Sequence, residues 1–424
     1  MPFCRECGVQ VEATWKFCPH CTSEQDSSVV IGNDSVHVGD ITVNKIDEIK
    51  QGLEEVLAGL GFTKDSSPTE LKSSQEKEVE QVLEISEQLA GQGIEINPWT
   101  EITLGNAAKL AGRTHSAQQH YLQALETFRE NGDRQGEGAS LNSLGNIARM
   151  RGDLAEAERL HRESLVLKRE IGDRKGEANS LHGLGTIASA RGDLDEAERL
   201  YRESLAIKRE IGDRQGDSTS LQGLAEIALI RGNLVEAEQL YRESLAINRE
   251  IGDRKNEANS LSTLGTIART RGDLAEAERL HRESLAIRRE IGDRGGEAHS
   301  LGNLGNITGE QGDLEEAERL HRESLGIKRE IGDRQGKANT LGNLGTIARM
   351  RGDLAEAERL YRESLVLKRE IGDRKGEASS LNDLGNIASD NGNMDERHRC
   401  YTEAVRIRRE IGIPIDQWYI DNGY

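Results

Sequence analysis

Apolar residues in this chain fall into short stripes of helical period, and the stripes return at a fixed interval. In residues 136–150, Leu141, Leu144, Ile147 and Ala148 keep the spacing of one helix face. Gly145 lies on that face, where a missing side chain lets another helix come close. Arg151-Gly152 breaks the pattern. Asp153-Leu154-Ala155-Glu156 restarts it with a carboxylate N-cap and a Glu three residues on, the arrangement of a capping box. The second stripe runs through Leu154, Ala157, Leu160, Ser164, Leu165 and Ile171, with Glu158 and Arg162 as an i, i+4 pair on its outer face. Gly172 suits the left-handed position that ends this helix, and Asp173 can cap the next one.

The same offsets recur along most of the chain. Gly152, Gly192, Gly232, Gly272, Gly312, Gly352 and Gly392 stand 40 residues apart, as do the leucines from Leu141 to Leu381. Capping pairs repeat at Asp193/Glu196, Asp273/Glu276, Asp313/Glu316 and Asp353/Glu356. A weaker copy with Leu104, Gly105 and Gly112 in register completes eight units over residues 98–412, although Glu101 stands where the others have Leu. Between Pro98 and Pro414 there is no proline, as an all-helical array requires. A fixed period of this length predicts an all-α solenoid of antiparallel helix pairs.

The run Leu141-x-x-Leu144-Gly145-x-x-Ala148…Gly152…Ala157…His161-x-x-Ser164 resembles the tetratricopeptide repeat. The 40-residue length, the Asn-Leu-Gly-Asn run from Asn303 to Asn306 and the recurring Ile-Gly-Asp-Arg corner are similar to the branch seen in kinesin light chains and Pins-type polarity scaffolds. Arg169 departs from that family, which commonly has proline there. The resemblance implies a right-handed superhelix whose concave surface is lined by the first helix of each pair.

The N-terminal part reads differently. Cys4-x-x-Cys7 and Cys18-x-x-Cys21 offer four soft thiolates at short range, a ligand set for one structural Zn2+ with no position left for a catalytic water. Residues 1–22 thereby resemble a small zinc ribbon. Residues 23–68 form an acidic connector: residues 22–100 carry 16 acidic and 5 basic side chains. Within it, β-branched alternation predicts a β-hairpin over 28–44. Ile46, Ile49, Leu53, Val56, Leu57 and Leu60 predict an amphipathic helix over 45–61. That stripe can dock on the array, or residues 28–61 can mediate self-association. Residues 69–97 read as a helical lead-in. Residues 413–424 form a tail in which Trp418, Tyr419 and Ile420 are expected to cover the apolar end of the array.

Composition narrows the function. Hydrophobic residues are 35% of the 424, with a net charge of −19 and a mean hydropathy of −0.66. Thin layers that bury one stripe per element suit that supply of apolar material better than one large core. The charge argues against nucleic acid, whose phosphates attract basic footprints. No run of 18 apolar residues offers a membrane span, and no signal-peptide pattern opens the chain, so a cytoplasmic location is expected. No nucleophile with a base and an orienter, and no phosphate loop, points to an enzyme. His161, His281 and His321 alternate with Tyr201, Tyr241 and Tyr361 at one position, which reads as a half-buried packing site. Cys400 reads as packed rather than reactive.

The function expected is therefore an interaction scaffold that binds a peptide or protein segment. A regulator with a nucleic-acid-contacting zinc ribbon and peptide-sensing repeats, and a self-assembling structural protein, are the alternatives. Second helices are almost copied from unit to unit, whereas first helices vary at positions beside the core stripe. Those positions supply the candidate site: Asn142, Asn146, Arg149, Asn179, His182, Thr186, Glu226, Asn259, Thr266, Arg269, Asn303, Asn306, Asn339, Asn343, Thr346, Arg349, Asn382 and Asn386. Amides can donate to and accept from an extended backbone, and arginines can fork onto carboxylates, so the expected ligand is an acidic segment.

Overall fold

Each restart of the apolar pattern is a helix boundary in the computed structural model, which describes residues 16–17, 29–30, 43–64, 68, 71 and 73–424. After α1 (Val43–Gly59) and α2 (Ser73–Gly91) come eight helix pairs. They are α3 (Pro98–Leu110) with α4 (Thr114–Asn131), α5 (Arg134–Met150) with α6 (Leu154–Glu170), and α7 (Arg174–Arg191) with α8 (Leu194–Glu210). Next are α9 (Arg214–Ile230) with α10 (Leu234–Ile251), α11 (Arg254–Thr270) with α12 (Leu274–Ile291), and α13 (Arg294–Glu310) with α14 (Leu314–Glu330). The last are α15 (Arg334–Met350) with α16 (Leu354–Glu370) and α17 (Arg374–Asp390) with α18 (Met394–Glu410), before a short α19 (Gln417–Asp421). The chain divides into two compact units, Met1–Gly216 and Asp217–Tyr424. Among the described residues no helix is long and apolar enough to cross a membrane.

The expected corner forms with one change. Gly152 takes φ +82°, and the Asp153 carboxylate accepts from the Glu156 amide at 3.1 Å. The capping box is only half made, because Glu156 does not reach back. Its carboxylate takes two bonds from Arg159, at 2.8 and 2.7 Å, while the Asp153 amide donates to the Ala148 carbonyl. A charge-assisted fork outcompetes a neutral amide for the same oxygens.

Val29–Val30 forms a strand, β2, that pairs antiparallel with β1 (Lys16–Phe17), upstream; residues 31–42, which would complete the hairpin expected over 28–44, lie outside the described residues. The amphipathic helix expected over 45–61 forms over Val43–Gly59. Alternation supplies strand preference and leaves the partner open. Cys4, Cys7, Cys18 and Cys21 lie outside the described residues. The stripe of α1 is buried by the chain itself: Ile49, Leu53 and Leu57 pack with Val79, Leu83 and Leu89 of α2, and the Thr100 hydroxyl of α3 donates to Glu54 at 2.6 Å. Helices α1 and α2 thus extend the core of the first unit ahead of the eight pairs expected, and the α1 stripe docks on the array, one of the two roles left open for it.

The histidine–tyrosine position is fully buried rather than half-buried, with His161 0% and His281 and His321 1% exposed. Glycine makes room for it. A Cβ on Gly145 would sit 2.8 Å from the His161 ring, and one on Gly183 of the next pair 2.5 Å from it. The ring therefore fills the gap between two first helices. Beside it, the Ser164 hydroxyl lies 2.8 Å from the Gly138 carbonyl and 2.9 Å from Ser180 Oγ.

On the outer side, Glu177 is gripped by Arg169 at 2.8 Å and Arg174 at 2.6 Å, and Arg169 reaches on to Glu203 at 2.7 Å. This ladder gives Arg169 its place where a proline is common. It recurs at Glu137, Glu257, Glu297 and Glu377 and breaks at Lys337, which turns to Glu363 at 3.5 Å. At the C-terminal end Tyr419 is buried and its hydroxyl donates to Asn382, with the rings of Tyr401, Trp418 and Tyr424 packed around it. Trp418 and Ile420 stay 44% and 52% exposed, so the cap is narrower than the three residues expected.

Candidate functional site: the open face of the first helices

First helices of successive pairs touch, α3 with α5 and α5 with α7 in the first unit, α13 with α15 in the second. Second helices diverge: between α12 and α14 a crevice opens down to Leu301 and Leu304 of the intervening α13. Within each unit the first helices therefore line the inner side. On α5, Gly136, Leu141, Leu144, Ile147 and Ala148 are buried in the stack, and Asn142, Asn146 and Arg149 are not. None of the eighteen candidate residues is buried, so the sequence pattern separated the packed face from the open one.

Hydrogen bonding divides these residues into two groups. In the first group, the polar atoms already have partners inside the chain. Asn142 meets the His161 ring at 3.1 Å, Asn259 accepts from Arg288 at 3.1 Å, and Asn343 donates to Asn306 at 3.1 Å. The position held by Asn146 in its unit commonly serves the buried tyrosine fifteen residues on. Tyr201 donates to Thr186 at 3.2 Å, Tyr401 donates to Asn386 at 2.7 Å, and Thr346 lies 2.9 Å from the Tyr361 hydroxyl. Thr266 bonds the Ser262 carbonyl of its own helix at 3.1 Å, and Asn382 takes the Tyr419 hydroxyl. The short polar residues in this column are thus partly a packing requirement.

Two of the three arginines are engaged as well. Arg269 Nε donates to Glu310 at 2.9 Å, and Arg349 Nε donates to Asp390 at 2.7 Å, each carboxylate sitting on the next first helix. Within the chain, then, only Arg149 of the three is without a carboxylate partner among the described residues. The second group consists of Asn146, Arg149, Asn179, Asn303 and Asn339, whose side chains have no hydrogen-bond partner among the described residues. His182 joins them: its Nδ1 is buried without a partner, and burial, then Lys208, Arg149 and His161, push its pKa down to about 3. Burial also raises Glu226 and lifts Asp383, a neighbour of Asn382 absent from the sequence-based set, to about 6. Among the described residues no cluster of His, Cys, Asp or Glu could hold a metal ion.

No curated protein sequence matches the chain. Solved structures share the fold at low identity. The apo form of RapI aligns at 14% identity and a TM-score of 0.57, covering 87% of this chain and 98% of that one. The apo quorum sensor NprR from B. thuringiensis aligns at 14% and 0.57, over 86% and 97%. A signal-transduction ATPase with numerous domains (STAND) from Pyrococcus horikoshii, with a tetratricopeptide repeat sensor, aligns at 15% and 0.59, over 80% of this chain and 53% of that one. The family profile for the tetratricopeptide repeat matches residues 95–170, 136–210, 216–290, 260–330, 296–370 and 336–410. The profile covers most of the chain, and the helix pairs it describes are those seen here: the chain belongs to the tetratricopeptide repeat family.

Proposed function

We propose that the chain is an adaptor or sensor that captures a peptide or protein segment along the open face of its first helices. The observation that carries this reading is the set of unengaged donors and acceptors on the open side of first helices, Asn146 and Asn179 in the first unit and Asn303 and Asn339 in the second, beside amides of the same type that do have internal partners. An asparagine satisfied inside the chain is explained by packing; one left open on that side of a first helix, twice in each unit, is suited to an extended backbone. Two proteins of the same fold are described as a quorum sensor and as carrying a repeat sensor, so the architecture suits ligand capture.

Selection of a random dodecapeptide library on the immobilised full chain tests the reading. Asn303→Trp and Asn339→Trp, which place bulk on the open face without touching the core stripe, are expected to abolish capture of the selected peptides and leave helicity unchanged. Capture that survives both changes places the ligand elsewhere. For Cys4, Cys7, Cys18 and Cys21 the proposal is one structural zinc, a closed thiolate shell that ties the N-terminal segment and does no chemistry. Metal analysis of the purified full chain is expected to find one zinc per chain, lost on Cys18→Ser/Cys21→Ser; a metal-free wild type rejects it.

A further inference from the structure

The charge on the open face follows a rule, and the first unit breaks it. Arg269 and Arg349 occupy equivalent positions near the C-terminal end of a first helix, and each is neutralised by an acid 41 residues on, Glu310 and Asp390. Counting back by whole repeats, the same position is Arg149 on α5 and Lys109 on α3. The residues 41 further on are Ala190 and Met150, which carry no charge. Accordingly neither Arg149 nor Lys109 has a carboxylate partner among the described residues.

From this we propose that the first unit holds an anion-reading site, in which Lys109 and Arg149 receive two carboxylates of an acidic peptide segment. The proposal rests on the peptide-capture reading above and names where on the face, and by which groups, the ligand's charge is read. Helices α3 and α5 are in contact, so the two cations project from axes about 8–10 Å apart. An extended chain advances about 3.3 Å per residue, which matches acids two or three residues apart.

The surroundings favour this occupant. Burial lowers the Lys109 pKa and leaves its ammonium short of solvation, a cost that an incoming carboxylate relieves. His182 on α7 is held neutral by burial first and then by the positive field of Lys208 and Arg149, and its Nδ1 is buried, so it adds no competing charge and does not itself meet the ligand. The whole chain carries −19, so an uncompensated pair of cations on its inner side is a local reversal of sign. Such a patch steers an acidic segment to one place and repels it elsewhere. In the second unit the same column is closed by internal acids, so it reads shape and backbone without a preference for charge.

The test repeats the dodecapeptide selection with three full-length proteins: wild type, Lys109→Gln/Arg149→Gln, and Arg269→Gln/Arg349→Gln. Wild-type selections are expected to be enriched in peptides with Asp or Glu two or three residues apart. Resynthesised as labelled peptides, these should bind Lys109→Gln/Arg149→Gln about tenfold or more weakly by fluorescence anisotropy, and Arg269→Gln/Arg349→Gln as tightly as wild type. Replacing the peptide's acids by their amides should reproduce the loss on wild type and have no further effect on Lys109→Gln/Arg149→Gln. Selected peptides without an acidic pair, or equal losses in the two double variants, overturn the proposal while leaving peptide capture standing. A wild-type chain that selects no peptide overturns both.

Discussion

Lowering the pH from 6.5 towards 4 is expected to unfold the protein, well above the range in which carboxylate titration alone would do so. Buried rings drive the transition, among them His182 at about 3 and three more at one repeat position. Burial holds His161, His281 and His321 down to a pKa of about 4 in the folded chain, with smaller pushes from Arg149 on the first, His299, Arg288 and Arg269 on the second, and Lys328 on the third. An unfolded chain protonates the same histidines near the ordinary value of about 6.5. Between the two values the unfolded state binds more protons, so stability is intact above 6.5 and falls as the pH drops towards 4. Each ring contributes up to about 3 kcal/mol, or on the order of 10 kcal/mol for the three, comparable with the whole stability of a typical domain. Asp383 works the other way in the second unit, since its raised pKa means that the folded form takes up its proton first.

The repeat itself supplies the control. Tyr201 and Tyr401 stand at the same position over Gly185 and Gly385 and donate to Thr186 and Asn386. The histidine units offer equivalent glycines, Gly145, Gly265 and Gly305, and equivalent acceptors, Asn146, Thr266 and Asn306. His161→Tyr, His281→Tyr and His321→Tyr combined should therefore fold and move the acid midpoint, followed by circular dichroism, down by about one pH unit. An unchanged midpoint would show that other groups govern the acid limb.

The same alignment of repeats shows how far the sequence could be read. Period, corner glycines and caps locate sixteen of the helices, because each is specified within its own 40 residues. Helices α1 and α2 were legible singly, from the stripe Ile49-Leu53-Leu57 and the lead-in around Val79-Leu83; that they share one core was not, because no corner motif joins them and their connection is longer. On the open face the packed and unpacked positions were legible from the period. Which polar side chains are already engaged was not, since the partner lies on another helix: Tyr201 is 15 residues from Thr186, Asn343 is 37 from Asn306, Arg349 is 41 from Asp390. The 37- and 41-residue intervals are themselves repeat arithmetic, one repeat plus or minus a few residues, and the 15-residue one recurs within pairs. Reading acids at the 41-residue offset would have separated Lys109 and Arg149 from Arg269 and Arg349 before any coordinates.

Replacing Glu101 and His120 together by leucine is expected to stabilise the first unit, whereas replacing His120 alone should damage it. In the other units the corresponding side chains are a leucine from each helix of the pair, such as Leu141 and Leu160, both buried in the core. The first unit has Glu101 and His120 there instead, 2.6 Å apart with side chains only 6% and 11% exposed. Glu101 is the departure from the leucine pattern noted in the sequence, and His120 is its counterpart on α4. A buried ionisable pair gains its mutual attraction only after both groups lose their water, and well-packed apolar residues in the same space often exceed it by about 1–4 kcal/mol. The surrounding frame is already shaped for leucines, since Leu104, Ala108, Ala117 and Leu125 keep their places. His120→Leu alone leaves the Glu101 carboxyl buried without its partner, at a cost of about 3–5 kcal/mol. Thermal unfolding of the wild type, His120→Leu, Glu101→Leu and the double variant completes a double-mutant cycle. The order expected is double variant above wild type and wild type above His120→Leu. A double variant less stable than wild type would mean that the pair holds α3 against α4 better than two leucines can.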